Sequence, residues 1–381
     1  MDGKRPIPQF VISELSTILG VTSKSLVAQG TVRSADGRSL APAIWFKLSS
    51  QNLTAADREF VGLVRRLGFF MAQLEVIRGA RSSPAWRAVS QAVLEQVDRS
   101  APPAAQGRDA ALSFRAVANL EHGQTGIGEL IRRRLREIGV AVIESPVPKS
   151  SLEGCCFAIG PEGSSRPCVF ANTFKSTWFR RNEILLHEVC HAVFDVESDP
   201  VSLDFLDKSG EEPALSEARA RAFAQEALVP RSVLVHYTNQ LGLDWRCLVP
   251  QQVAQLMASI HVEQRTLLRA AYEQNFISEY LYSQYSDYTL GGVLKEISYR
   301  AWSTREFLRQ QVDESPKWIA ENRNTTVGTR SLRLPAGYVK QVIDTLNFGE
   351  ISVAKAAELL MMDRYSFAER FGGLIAEPIP A

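Results

Sequence analysis

The chain has 381 residues, of which 45% are hydrophobic and 22% charged, as is ordinary for a globular protein of roughly two to three domains. The 43 Lys and Arg residues balance the 42 Asp and Glu residues, which argues against a protein that binds nucleic acid through a broadly basic surface. Five cysteines are an odd number in a long chain and indicate reduced thiols rather than a disulfide framework. No apolar run has the length of a membrane span, and the N-terminus lacks the apolar segment of a signal peptide. We therefore expect a cytoplasmic protein.

The N-terminal region, residues 1–98, is predicted to be helical. Apolar residues recur at helical spacing in three stretches, namely 10–27, Thr54 to Ile77, and 84–97. Segment 98–110 contains Pro102-Pro103 and Gly107, which interrupt this periodicity. It is predicted to be a linker that ends the first domain.

The central region, residues 109–232, mixes helices with short strands, so the fold class is α+β. Helices are predicted over 109–120, 129–138, 178–194 and 216–229, and strands over 140–143, 154–159 and 166–171. No element is predicted in the polar stretch 195–215. The basic run from Arg132 to Arg136 is flanked by Glu129 and Glu137 and is predicted to be a solvated helix face.

The sequence feature that carries chemistry is His187-Glu188-Val189-Cys190-His191, the pattern His-Glu-x-x-His. Residues four apart share one face of a helix, so both imidazoles can bind one ion. Glu188 lies about 100° round the helix from His187, where it can take a proton from water. Zinc suits two imidazoles, one further ligand and an open position. The structural alternative is a pair of hydrogen-bonded histidines beside a surface glutamate.

A third ligand is expected from the helix predicted over 216–229, whose alanines would let it pack closely against the histidine helix. Glu217 is the preferred candidate, although it could instead be a first-turn acid that complements the helix dipole after Ser216. Four other acids remain open as the third ligand: Glu226, Asp195, Glu211 and Glu212.

Several motifs, in their order, resemble those of the ImmA/IrrE family of zinc metallopeptidases. The sequence has Phe223-Ala224-Gln225-Glu226-Ala227-Leu228-Val229-Pro230, which is similar to the family's Phe-Ala-x-x-x-Leu-x-Pro. Glu217 stands six residues before Phe223, where the family has its third ligand. Four upstream features also resemble the family: Gly139-Val140-Ala141-Val142, Glu153-Gly154, Ala171-Asn172, and Arg180. The resemblance covers residues 110–232.

This resemblance implies a zincin-like domain in which His187, His191 and Glu217 bind Zn²⁺ and Glu188 is the general base. It implies an endopeptidase whose protein substrate is a helix-turn-helix transcriptional repressor, cut at a specific place in stress or mobile-element regulation. The strand near Val169–Asn172 is expected to lie at a sheet edge and to align the substrate by strand addition. A zinc-containing module that binds proteins without cleaving them is the alternative.

Two positions in the site depart from the family pattern. Cys190 stands where the family usually has Gly, and Asp195 stands where it often has His. Cys190 is expected to be a small buried hydrophobe, with a fourth-ligand or redox role as the alternative. His236 and Tyr237 follow the zinc motifs closely in sequence and are candidates for stabilising the transition state.

The flanking regions are expected to be helical. Ile12–Gly30 resembles only the tail of the repressor-like domain that opens many family members, so direct binding to DNA is not expected. Val253–Leu268, within a helical region at 233–330, resembles a winged-helix-like segment of some relatives. Residues 331–381 are predicted to form a small helical module of mixed charge, which favours packing or partner contact over DNA.

Overall fold

The structure, a computed structural model, describes most of the chain between residues 55 and 375. Its described ranges are 55–79, 84–120, 127–128, 130–147, 152–159, 166–174, 176–195, 201–205, 215–287, 290 and 334–375. The helix predicted within 10–27, the segment Ile12–Gly30, and the acids Glu211 and Glu212 lie outside these residues. None of the helices in the described ranges has the length and apolar character needed to cross a membrane.

The described elements are mainly helical, with one small sheet. In chain order they are α1 (Ala55–Ile77), α2 (Pro84–Leu94), α3 (Pro103–Val117), α4 (Ile131–Glu137), β1 (Ala141–Ser145), β2 (Leu152–Ile159), β3 (Arg166–Asn172), α5 (Trp178–Phe194), β4 (Val201–Phe205), α6 (Leu215–Leu228), α7 (Arg231–Leu241), α8 (Pro250–Ile260), α9 (Gln264–Glu273), α10 (Glu279–Ser286), α11 (Ala336–Asn347), α12 (Val353–Leu359) and α13 (Arg364–Phe371). The elements from α1 to α6, other than α3 and β4, agree with the predicted ones to within a few residues, and an α+β fold class is confirmed.

The four strands form a mixed sheet in the order β1-β3-β2-β4. β1 is parallel to β3, whereas β2 is antiparallel to both β3 and β4. The prediction that Val169–Asn172 lies at an edge is wrong, because β3 pairs on both sides and the described edges are β1 and β4. β4 was missed because it is a short alternating segment, Val201–Phe205, inside a polar stretch.

The sheet separates two hydrophobic cores, since alternate residues of a strand point to opposite faces. Cys156 and Val169 face the first core, which extends continuously from Trp86 on α2 to Leu290 and so joins helices on both sides of the zinc motifs. Cys155 and Phe170 face the second core, which contains α1 and α11–α13. The C-terminal module therefore packs within the molecule, as expected.

The predicted linker at 98–110 is wrong in its second half, because Pro103–Val117 forms α3. Proline is tolerated in the first turn of a helix, where its missing N–H leaves no bond unmade. Gly107 is buried against α6, and a Cβ there would collide with the carbonyl oxygen of Arg219 and lie 3.0 Å from the backbone nitrogen of Phe223. The glycine that reads as a helix breaker is thus a point of close helix contact.

The histidine helix α5 is held by a buried ion pair beside it. It begins after Thr177, whose hydroxyl accepts a hydrogen bond from the backbone N–H of Arg180 at 3.0 Å. Arg132, predicted to be solvated, is buried instead and donates two 2.7 Å hydrogen bonds to Glu144 on β1. It also donates to Asn182 on α5 at 2.7 Å. Arg132 therefore fixes α5 against the sheet, while its neighbour Arg133 remains exposed.

Helices continue after the zinc motifs. Residues 231–287 contain α7–α10 and a short 3-10 turn at Trp245–Cys247, with no strand in that described range. The β-hairpin of a winged helix is thus not found there, and residues 291–333 lie outside the described part of the chain. In this stretch the helical part of the prediction is confirmed.

Candidate metal centre

Three of the predicted ligands converge at one point between α5 and α6. The Nε2 atoms of His187 and His191 lie 3.2 Å apart. The Glu217 carboxylate reaches both, with Oε2 at 3.4 Å from His187 Nε2 and Oε1 at 3.5 Å from His191 Nε2. Among the described residues these three form the one group of donor side chains able to hold a metal ion, and all three are buried.

The separations within this group fit a small tetrahedral ion. Ligand atoms about 2.0–2.1 Å from the centre of a tetrahedron are about 3.3–3.4 Å from one another. The three measured separations, 3.2, 3.4 and 3.5 Å, lie close to that value. The donor set, two imidazoles and one carboxylate, therefore fits a divalent metal ion in both chemistry and spacing.

The electrostatics of the group also favour a positive charge. Burial alone would raise the pKa of the Glu217 carboxyl, but its hydrogen bonds and charge interactions with both imidazoles hold that pKa well below its usual range. Burial alone would lower the pKa of His191, but Asp195, Glu217 and Glu188 raise it to about 10. The acids thus stabilise a cation where the two Nε2 atoms meet, and a metal ion can take the place of bound protons.

Asp195 is placed beside the centre rather than in it. Its Oδ2 lies 2.8 Å from Nδ1 of His191, the ring nitrogen that faces away from Glu217. A carboxylate in this position fixes the tautomer and ring orientation of a ligating histidine. Asp195 Oδ1 accepts a 2.6 Å hydrogen bond from Nη2 of Arg219 on α6. The His-x-x-x-Asp spacing at the helix end was a signal for this pair, whereas nothing local marked Arg219.

Glu188 is completely buried and lies against β2. A Cβ added to Gly154 would lie 2.7 Å from Glu188 Oε1 and 2.7 Å from Cγ2 of Ile184. The absent side chain at position 154 therefore makes the space that the Glu188 carboxylate occupies. Glycine in the Glu153-Gly154 motif is thus explained by close packing against the histidine helix.

Glu153, the residue before that glycine, sits at a β-bulge. The pairing of β2 with β4 shifts register between Leu152 and Gly154, so Glu153 is the extra residue. A bulge re-aims the side chain it carries, and Glu153 accepts a 2.5 Å hydrogen bond from Nη2 of Arg180 on α5. The motif residues Glu153 and Arg180 thus join the sheet to the first turn of the histidine helix.

The other candidate residues lie outside the group of three. Cys190 is fully buried and burial raises its pKa well above the usual range, which fits the expected small hydrophobe. Glu226, an alternative third ligand, is buried nine residues beyond Glu217 and belongs to a different part of α6. Tyr237 donates its hydroxyl to the carbonyl of Ser259, and the ring of His236 packs against that of Tyr237. Neither residue belongs to the group of three donors, and their role in stabilising the transition state stays a prediction.

Comparison with known proteins adds no relative. Neither a scan against the known protein families nor a search of curated proteins finds a match for this chain. The resemblance to the ImmA/IrrE zinc metallopeptidases stays a prediction that rests on the motif residues. The convergence of His187, His191 and Glu217 is the structural observation that bears on the predicted ligand set.

Proposed function

We propose that the protein is a zinc-dependent endopeptidase. The observation that carries this proposal is the convergence of His187 and His191 on α5 with Glu217 on α6, at separations that suit tetrahedral zinc. Glu188 lies on the same helix as the two histidines. Zinc is chosen among divalent ions because two imidazoles and one carboxylate form one of the donor sets of catalytic zinc sites, and because both histidines belong to a His-Glu-x-x-His pattern on a helix.

Each residue has a role in this proposal. His187 and His191 bind the ion through Nε2, and Glu217 binds it through its carboxylate. When bound, zinc supplies a Lewis acid that polarises a peptide carbonyl. The Glu188 carboxylate takes a proton from the attacking water and transfers it to the leaving amine nitrogen. Gly154 leaves the space in which that carboxylate sits.

The sheet offers an edge for the substrate backbone. β4 follows α5 in the chain and pairs with β2, and among the described strands nothing pairs with its other side. An extended peptide can add to such an edge through main-chain hydrogen bonds. The edge proposed for the substrate is therefore β4 and not the central strand that carries Val169–Asn172.

The substrate we propose is a helix-turn-helix repressor protein, on the strength of the family resemblance alone. The test uses the zinc-loaded protein and purified helix-turn-helix repressors, beginning with any that a neighbouring gene encodes. Discrete fragments, identified by intact mass, are expected with the wild-type chain. Glu188→Gln should keep zinc and give no fragments, whereas Glu183→Gln on the same helix should cleave normally. Undiminished cleavage by Glu188→Gln would contradict the mechanism.

The depth of the site favours a second candidate function. His187 and His191 are 5% and 2% exposed, and Glu188 is fully buried, so the group resembles a closed structural centre. A module stabilised by zinc that binds other proteins without cleaving them would need no access for a peptide. Stoichiometric zinc with no fragments from any of the repressors tested, but stable binding to one of them, would favour this second function.

A further inference from the structure

We propose that Arg219 is a positioning residue for the metal centre, acting on His191 through Asp195. The proposal rests on the metal-binding part of the proposed function, and it does not depend on peptide cleavage. Arg219 lies on α6 two residues after Glu217, so one helix carries both a metal ligand and the residue that orients a second ligand.

A chain of direct contacts connects Arg219 through Asp195 to the His191 ring. Nη2 of Arg219 donates to Oδ1 of Asp195 at 2.6 Å. The other carboxylate oxygen, Oδ2, lies 2.8 Å from Nδ1 of His191. The Nε2 atom of the same ring lies 3.2 Å from Nε2 of His187. A rotation of the Asp195 carboxylate would therefore turn the His191 ring and move Nε2 away from its partners.

Asp195 needs such a partner because of where it stands on α5. It is the C-cap residue, and its backbone N–H bonds to the carbonyl of His191. The C-terminal end of a helix carries a partial negative charge, which disfavours a carboxylate. The guanidinium of Arg219 offsets that repulsion. Without it, the carboxylate that orients His191 would be held in an unfavourable field.

Arg219 is itself held from two sides. Nη1 donates to Oε1 of Gln106 on α3 at 3.3 Å, and Cζ lies 4.2 Å from the ring centroid of Phe194. Its side chain is only 17% exposed. Gly107, beside Gln106, brings α3 directly against the backbone of Arg219. These contacts fix the guanidinium in one place, which a residue that positions another side chain requires.

A plain structural clamp is the competing explanation, because the same salt bridge also joins α5 to α6. The two explanations differ in what they predict for the metal. A clamp contributes to the stability of the fold whether or not metal is present, whereas a positioning residue changes the affinity for the ion. Mutation of the direct hydrogen-bond partner of a metal ligand costs about 10–100-fold in affinity, and Arg219 acts one step further out, through such a partner.

The test measures zinc affinity of the full chain by competition with a chromophoric chelator, and urea unfolding of the metal-free protein in parallel. Arg219→Gln is expected to raise the apparent zinc Kd by about tenfold, the lower end of that range, because it acts through Asp195. Arg221→Gln, on the same helix at an exposed position, is the matched control and should stay within about twofold of wild type. Arg219→Lys keeps the charge and should recover part of the affinity.

A second variant pair separates the two explanations even if one variant folds poorly. In the Asp195→Asn background, Arg219→Gln should change the zinc Kd by less than about threefold, because its effect passes through the carboxylate. The proposal would be overturned if Arg219→Gln lowered zinc affinity equally in the wild-type and Asp195→Asn backgrounds. It would also be overturned if the zinc Kd of Arg219→Gln lay within about twofold of wild type. A wild-type chain that binds no zinc would instead refute the metal centre itself. This result is distinct from the two outcomes that would overturn the role of Arg219.

Discussion

Gly107 and Gly62 allow one substitution, glycine to alanine in a helix, to be compared in two surroundings. Gly62 lies at an exposed position of α1, and a Cβ there would have no atom within 4 Å. Gly107 lies in α3, where a Cβ would collide with the carbonyl oxygen of Arg219 and come within 3.0 Å of Phe223 N. We predict that Gly62→Ala stabilises the protein and that Gly107→Ala destabilises it.

The magnitudes follow from two opposing effects. Alanine is favoured over glycine in a helix interior by about 1 kcal/mol, and this gain applies at both positions. At Gly107 the added methyl overpacks the contact with α6, at about 1–3 kcal/mol. The upper end of that range applies, because the atoms in the way belong to the backbone and cannot rotate aside. Gly107→Ala is therefore expected to lose about 2 kcal/mol, against a gain of about 1 kcal/mol for Gly62→Ala.

Urea unfolding of both variants, followed by circular dichroism, measures these free energies. A zinc titration adds a second readout, because the α6 backbone displaced by Gly107→Ala carries Glu217 and Arg219. Weaker zinc binding is expected for Gly107→Ala and unchanged binding for Gly62→Ala. If Gly107→Ala were as stable as Gly62→Ala, the close contact between α3 and α6 would be wrong. The reasoning that links this contact to the metal centre would fail with it.

Three further predictions concern buried groups. Gly154→Ala should lower cleavage at least tenfold at unchanged zinc content, because the methyl would displace the Glu188 carboxylate; full activity in a peptide assay would contradict that contact. Arg132→Met should cost about 3 kcal/mol in urea unfolding by leaving Glu144 without its main partner, and the added change Glu144→Leu should restore part of the loss. Burial raises the pKa of Glu226 to about 7, so ionisation of its carboxyl opposes folding. The free energy of unfolding should therefore fall as the pH rises from about 4.5 to 7, by up to roughly 3 kcal/mol. Glu226→Gln should flatten that decline. A variant with the same pH profile of unfolding as the wild type would refute this role of Glu226.

Local pattern predicted the elements of the fold better than their arrangement. The spacing of apolar residues located α5, because periodicity is a property of neighbouring residues. Sheet order depends instead on pairing between distant segments, and β3 was placed at an edge because nothing in Val169–Asn172 shows that β1 lies on its other side. Gly107 was misread for a related reason, since its partner is more than a hundred residues away at Arg219.

In the candidate site, too, the sequence predicted the residues better than their arrangement. His187, His191 and Asp195 are spaced four residues apart along α5, and Asp195 was one of the acids left open as the third ligand in place of Glu217. The structure separates their roles by ring chemistry: His191 turns Nε2 toward Glu217 and Nδ1 toward Asp195, so one imidazole bridges the donor group and the acid. Spacing cannot make that distinction, because it depends on which ring nitrogen faces α6. In our proposal Arg219 holds the Asp195 carboxylate that orients the His191 ring. Arg219 lies on a second helix, and the approach of α6 to α5 brings its guanidinium to Asp195.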